Sequence, residues 1–140
     1  MQTKNLTQQV EIPAAPHEVF EMLLDPERHS RFTGAHAAIS RRVGSPFTAY
    51  DGWIEGVQME VVKDRLIVQK WRGKDWPKGH YSIATFTLAP SGAGTRITLT
   101  QRGIPAGLFE GISAGWHEHY WDKMQKSLDI DRRLWGARSR

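Results

Sequence analysis

An α+β fold, with an antiparallel meander bent around one long C-terminal helix, is predicted by three observations on these 140 residues. Apolar residues recur every four positions from Leu108 to Leu128. Short alternating segments punctuated by Gly, Pro and Asp-Gly occupy most of the stretch from Ala37 to Arg102. One further alternating segment at the start is set apart from these by two proline-opened helical patterns. Consecutive strands joined by short turns imply an antiparallel sheet, and its apolar face cannot remain in water, so the sheet must bend around the helix.

The first strand is expected over residues 3–12, where Leu6, Gln8, Val10 and Ile12 alternate with Thr7, Gln9 and Glu11 and Pro13 stops the run. Pro16 can open a helix whose apolar face is Val19, Phe20, Leu23 and Leu24. Asp25-Pro26 interrupts it, and Asp25 is placed to cap a second short helix reaching about Phe32. In that helix Phe32 should turn inward while Arg28 and Arg31 face water.

Past Gly34, the residues Ala37, Ile39, Val43, Phe47 and Tyr50 are broken by Gly44 and Pro46, which predicts short strands joined by turns. Asp51-Gly52 is a strong hairpin signal. Trp53, Val57, Met59 and Val61 then alternate with Ile54, Gly56, Gln58 and Glu60, giving a longer strand whose odd-numbered face is apolar. Residues 66–72 predict another strand, Asp75-Trp76-Pro77-Lys78-Gly79 a turn, and 81–88 a strand with Ala84, Phe86 and Leu88 on one face. After a turn at Ser91-Gly92-Ala93-Gly94, Ile97, Leu99 and Gln101 alternate with Thr98, Thr100 and Arg102. The expected order is one strand, two helices, about six strands and one long helix.

The last helix carries Leu108, Ile112, Trp116, Tyr120, Met124 and Leu128 on one face, widened by Phe109 and Trp121. Glu110, Ser113, His117, Asp122 and Lys123 lie opposite. At 1.5 Å per residue, the stretch from Gly107 to Leu128 would span roughly 33 Å, the width of a small domain. Pro105 suits the entrance, but Gly107, Gly111 and Gly115 are poor helix formers, at up to about 1 kcal/mol each relative to Ala, so the start is expected to be frayed or remodelled.

Composition bounds the rest. With 39% hydrophobic and 24% charged residues the chain is globular, and no apolar run approaches the roughly 20 residues of a membrane span. One domain is expected over residues 1–130, with 131–140 as a basic tail. The first ten residues lack a basic segment followed by an apolar core, so a cytoplasmic location is expected. The absence of cysteine excludes disulfides, thiol catalysis and thiolate metal sites. The net charge of +4 is concentrated in Arg132, Arg133, Arg138 and Arg140; without the last ten residues the body holds 15 basic and 14 acidic residues. The tail, with Leu134 and Trp135, is read as a solvated end, and no nucleic-acid partner is expected.

Several signatures occur together and in order: Trp71-Arg72, Trp76-Pro77-Lys78-Gly79-His80, Gly103-Ile104-Pro105, Gly115-Trp116 and Tyr120-Trp121. They are supported upstream by Val19-Phe20, Phe32-Thr33, Phe47 and Asp51-Gly52. In these the chain resembles, from about Thr3 to Leu128, the C-terminal domain of the activator of heat-shock protein 90 ATPase and its bacterial single-domain namesakes. The resemblance implies the helix-grip fold of the START-like (SRPBCC) superfamily, in which a curved antiparallel sheet wraps a long C-terminal helix and often encloses an apolar cavity. In the eukaryotic co-chaperone a separate N-terminal domain makes much of the productive chaperone contact, and nothing in these residues corresponds to it. Fold alone does not choose among the superfamily's activities.

The residues themselves supply little conventional catalytic machinery. There is no phosphate-cradling Gly-Lys-Ser loop and no serine in a Gly-x-Ser-x-Gly context. His117 and His119 are two apart on a helix and diverge, while His29 and His36 fall where a helix gives way to a loop, so surface histidines and no metal or cofactor are expected. Asp51 reads as a turn residue and Asp75 as a loop residue, and no catalytic residue is assigned. The candidates for an apolar pocket between sheet and helix are Phe32, Trp53, Trp71, Phe86, Phe109, Trp116 and Tyr120; the alternative is that these rings fill the space as core. Arg72 is the polar candidate: inside the cavity it would select an acidic head group, and outside it would lie along Trp76.

Two functions of different classes follow. One is a non-enzymatic protein binding a small hydrophobic molecule. The other is an interaction module for a heat-shock protein 90 homologue in stress response. A cyclase-like or hydrolytic enzyme ranks third, because no acid, base or nucleophile stands out. No membrane insertion is expected, and the chain would be a monomer or homodimer.

Overall fold

The computed structural model describes residues 1–138, with side chains to Arg133. The chain runs β1 (Thr3–Ile12), α1 (Pro16–Leu24), α2 (Pro26–Thr33), β2 (Pro46–Ala49), β3 (Ile54–Val62), β4 (Leu66–Gly73), β5 (Ser82–Ser91) and β6 (Gly94–Pro105). A 3₁₀ turn (Ala106–Leu108), α3 (Phe109–Trp116), a π-helical turn (His117–Trp121) and α4 (Asp122–Arg138) complete it. One antiparallel sheet has the order β1-β6-β5-β4-β3-β2. Its inward side carries Ile67 and Trp71 from β4, Ala84, Phe86 and Leu88 from β5, and Ile97 and Leu99 from β6, all buried. This is the curved sheet and C-terminal helix that the α+β reading anticipated.

The two short helices are set by local chemistry. Pro16 opens α1, and the side chain of Asp25 caps α2 by accepting the backbone N–H of Arg28 at 2.9 Å. Gly34 closes α2 in the left-handed region, at φ +77°, where glycine meets no steric penalty. Phe32 is buried, while Arg28 and Arg31 face solvent, with Arg28 paired to Glu18 at 2.8 Å.

Five strands, not about six, follow α2. The apolar residues Ala37, Ile39 and Val43 do not form a further strand; this segment meets the sheet through an isolated bridge between Ala38 and Thr48 and through backbone bonds to β3, the Gly44 N–H donating to the Gln58 carbonyl at 2.8 Å and the Gln58 N–H to the Ser45 carbonyl at 3.0 Å. Gly44 at φ +87° and the local bonds of Ser40 and Ser45 keep it irregular.

The orientation of β3 differs from its hydropathy. Its buried residues are Ile54, Gly56 and Gln58, whereas Met59 is 45% exposed. A bulge between Gln58 and Glu60 then changes the phase, and Val61, paired with Ile67, packs against the core. Two features accommodate this inverted face. Gly56 leaves room for the Phe47 ring, which would lie 2.7 Å from an added Cβ, and the Gln58 side-chain oxygen accepts from Gln69 at 3.2 Å, while Gln58 Nε2 is left without a partner among the described residues.

The C-terminal helical stretch is not a uniform α-helix. Glycines occupy its first two turns, and the 3₁₀ turn at Ala106–Leu108 is the remodelled start. In an α-helix a strict four-residue repeat drifts by about 40° per step, enough to carry one end of the stripe away from the sheet. The wider π turn at His117–Trp121 absorbs that drift, so Trp116, Tyr120, Trp121 and Met124 are all buried. Each such side chain contributes on the order of 1.5–3 kcal/mol by burial. Helix α4 continues beyond Leu128 to Arg138, and Arg132 hydrogen-bonds the Pro13 carbonyl. The side chains of Leu134, Trp135 and Arg138, and residue Arg140 altogether, lie outside what is described.

Candidate ligand-binding site

Between this helical stretch and the β3–β4 end of the sheet lies an open cavity of about 610 Å³. Ile54 and Trp71 form its sheet wall, and Trp53 and Trp76 its loop wall. Leu108, Ile112, Trp116 and Tyr120 form the helix wall, with Tyr50, Asp75, Glu118 and His119 completing the lining. The space has an identifiable origin. Gly111 and Gly115 face it from α3; an added Cβ at Gly111 would meet nothing within 4 Å, and at Gly115 only His119 at 3.7 Å. Side chains at these two positions would project where the cavity now is.

The aromatic wall is rigidly built. Trp71 packs edge-on to Trp76 at 5.4 Å between ring centres and tilts against Trp116 at 5.5 Å. Gly73 permits the close approach of two further rings, since a Cβ there would lie 2.8 Å from Trp53 and 3.0 Å from Trp76 Nε1. Trp76 is only 4% exposed, and its indole N–H has no hydrogen-bond partner among the described residues.

Polar pins hold the helix to the sheet. Trp116 Nε1 donates to Gln101 Oε1 at 2.8 Å, Gln101 Nε2 to Ser82 Oγ at 3.0 Å, and Ser82 Oγ to the Trp71 carbonyl at 2.8 Å. Trp121 Nε1 likewise donates to Gln8 Oε1 of β1 at 2.8 Å. These bonds connect the helix to β6, β5, β4 and β1 and fix its rotation.

Behind the cavity, His29 is 4% exposed rather than on the surface as expected. Its Nε2 lies 3.0 Å from the Tyr120 hydroxyl and its Nδ1 3.1 Å from the Leu23 carbonyl. Burial lowers the His29 pKa to about 4 and pushes the Tyr120 hydroxyl far above its ordinary value. At the mouth, Tyr50 donates to the His119 carbonyl within the π turn, and burial, with the charge of Glu118, pushes the Tyr50 hydroxyl up to about 12. Tyr50 and Asp51 both have positive φ, at 51° and 56°, an uncommon conformation for non-glycine residues. The turn is held because Asp51 Oδ1 accepts the His36 backbone N–H at 2.8 Å, while Asp51 N–H donates to the His36 carbonyl at 3.0 Å.

Of the eight residues singled out in the sequence, Trp53, Trp71, Trp116 and Tyr120 line the cavity and the other four do not. Phe32 packs behind Tyr120 at 5.9 Å, Phe86 lies edge-on under Trp116 at 5.6 Å, and Phe109 sits beneath the Lys4 ammonium. Arg72 alternates outward from Trp71 and so cannot reach a ligand here. It bonds Glu55 at 2.6 Å and the Trp76 carbonyl at 2.8 Å, which holds the loop carrying Trp76. Sequence reasoning missed Tyr50 and Trp76 as lining residues because each sits in a turn. Their neighbours Asp51-Gly52 and Pro77 marked the turns but not the direction of the rings. Burial of His29 was readable from its three-residue spacing to Phe32, which puts both on one helix face.

Residues 13–129 match the family described as "Activator of Hsp90 ATPase homolog 1-like protein". The chain belongs to this family. The human relative in it, "Activator of 90 kDa heat shock protein ATPase homolog 1", is 31% identical over 120 residues, 86% of this chain but 36% of the relative. A Dictyostelium discoideum relative, also an activator of 90 kDa heat shock protein ATPase homolog, is 27% identical over 133 residues, 94% of this chain and 35% of the relative. The chain thus spans about a third of the length of these relatives. Among solved structures, a Plasmodium falciparum HSP90 activator superposes with a TM-score of 0.84 at 26% identity, covering 89% of this chain and 96% of that one. A Mesorhizobium loti protein at 19% identity shares the fold, with a TM-score of 0.78 over 91% of this chain and 98% of that one. The family's START-like fold is therefore the one built by this chain.

Proposed function

We propose that this protein holds a small, predominantly apolar molecule in the cavity between its C-terminal helix and the β3–β4 end of the sheet. The observation that carries the reading is the pair Gly111 and Gly115, which keep about 610 Å³ open beside four tryptophans. That volume lies within the roughly 300–1,000 Å³ of small-molecule pockets, and its mostly apolar lining with a few polar groups suits such a ligand. The site offers containment and orientation rather than a nucleophile or an acid–base pair. Native mass spectrometry of freshly purified protein, compared with the denatured mass, tests it. A discrete extra mass that vanishes on unfolding is the expected result; a bare chain that also fails to take up apolar probes overturns it.

A second reading, association with a heat-shock protein 90 homologue, is supported by the 31% identity to the human activator and by the fold of the Plasmodium protein. Titrating this protein into the ATPase assay of its own organism's chaperone tests it: a changed rate supports the reading and a flat titration rejects it.

A further inference from the structure

Among the lining residues of the cavity there is no lysine or arginine. Arg72, the nearest sequence candidate for a cation, is turned to the opposite side of β4 and engaged by Glu55 and the Trp76 carbonyl. The carboxylates are Asp75 and Glu118, and both belong to the lining. Among the described residues neither has a lysine or arginine within 4.0 Å; Glu118 has only His119, at 4.0 Å. The remaining lining includes six aromatic rings, Trp53, Trp71, Trp76 and Trp116 with Tyr50 and Tyr120, beside the aliphatic Ile54, Leu108 and Ile112.

On the reading that the cavity holds a small molecule, we infer that its ligand is a flat aromatic or polycyclic cation, bound among the tryptophans with its ammonium group toward Asp75 and Glu118. Indole faces carry negative quadrupole charge, so they attract a cation, most strongly where it is desolvated. Two carboxylates without basic partners add a field of the same sense and repel an anion. A fatty acid or another amphiphilic anion meets none of these conditions: no guanidinium or ammonium awaits its head group.

The test uses three probes of one shape: naphthylmethyl-trimethylammonium, naphthylmethanol and naphthoate, titrated into the full chain by calorimetry. The cation is expected to bind at least about tenfold more tightly than naphthoate. In the double variant Asp75→Asn with Glu118→Gln that ratio should fall below about threefold, with naphthylmethanol affinity unchanged within about twofold. Both substituted residues are exposed, so an unchanged thermal melt should accompany these shifts, and each single variant gives an intermediate ratio. Naphthoate binding as tightly as the cation would overturn the inference and leave the cavity reading standing. An unchanged ratio in the double variant would overturn the role of the carboxylates. Failure of all three probes to bind would overturn the cavity reading and the inference with it.

Discussion

His29 and Tyr120 share a buried hydrogen bond, 3.0 Å between the imidazole Nε2 and the phenolic oxygen. Because His29 Nδ1 faces the Leu23 carbonyl, a pure acceptor, Nδ1 carries the proton and Nε2 accepts from the Tyr120 hydroxyl. This arrangement requires a neutral ring, and burial holds the pKa down at about 4, against 6.5 for the free side chain. In the interval between those values the unfolded chain binds the proton and the folded one does not. Stability therefore falls as pH drops from 6.5 toward 4, and this contribution changes no further below that, for a total of roughly 3 kcal/mol. Urea midpoints measured across this range should decline in the wild type and be flatter in His29→Gln. An equally steep decline in the variant would assign the slope to other groups.

Trp116 and Gln101 form the second pin that can be measured directly. Gln101 is fully buried, so Trp116→Phe strands its side-chain oxygen, at about 1–3 kcal/mol beyond the loss of ring area. Gln101→Met strands the indole N–H instead. Replacing both removes the two orphans together, so the double variant should be less destabilised than the two single losses added, by about 1–2 kcal/mol in a double-mutant cycle followed by urea unfolding. Strict additivity would mean that the bond does not couple helix to sheet. Trp116→Phe should also shift affinity for an apolar probe, because this ring borders the cavity.

The sequence made the order of elements legible because turn chemistry is local: Pro16, Asp25 and the Gly-rich turn before β6 each act within a few residues. Ala84, Phe86 and Leu88 were readable for the same reason, since no bulge interrupts the inward alternation of β5. Met59 was not, because the bulge beside it and the inward Gly56 and Gln58 reverse the usual relation between hydropathy and burial. At the site, Trp116 could be placed by the four-residue stripe of its helix, whereas the choice between Trp71 and Arg72 as the inward residue stayed open until the burial pattern of β4 decided it. Tyr50 and Trp76 could not be placed, since their orientation depends on Asp51 bonding His36 and on Arg72 holding the Trp76 carbonyl, both tertiary contacts. The glycines of α3 read as helix weakness, and their use as open volume appears only when the opposing wall is in place.

Gly73 shows how closely that wall is fitted. A Cβ at this position would lie 2.8 Å from the Trp53 ring, closer than real contacts allow, and a tight 3.0 Å from the Trp76 nitrogen. Gly73→Ala should therefore displace at least one ring and destabilise the fold by about 1–3 kcal/mol. Near-ultraviolet circular dichroism should change with the packing of these indoles while the far-ultraviolet spectrum is retained. An unaltered near-ultraviolet spectrum would show that the rings yield without cost.

Gly111 and Gly115 allow folding and binding to be separated, because they weaken the helix while keeping the cavity open. A methyl group at Gly111 meets no neighbour within 4 Å, so Gly111→Ala should stabilise the protein by about 0.5–1 kcal/mol and raise Tm by about 2–5 °C. Gly115→Leu brings a larger side chain into the same space, with only ordinary contact to His119 at its Cβ. It should leave Tm at or above the wild-type value and weaken naphthylmethanol binding by about tenfold or more. If the glycines served only to let the helix bend, Gly115→Leu would lower Tm and leave probe affinity intact in the folded fraction. A stabilised chain that no longer binds is the outcome that assigns these two positions to the ligand.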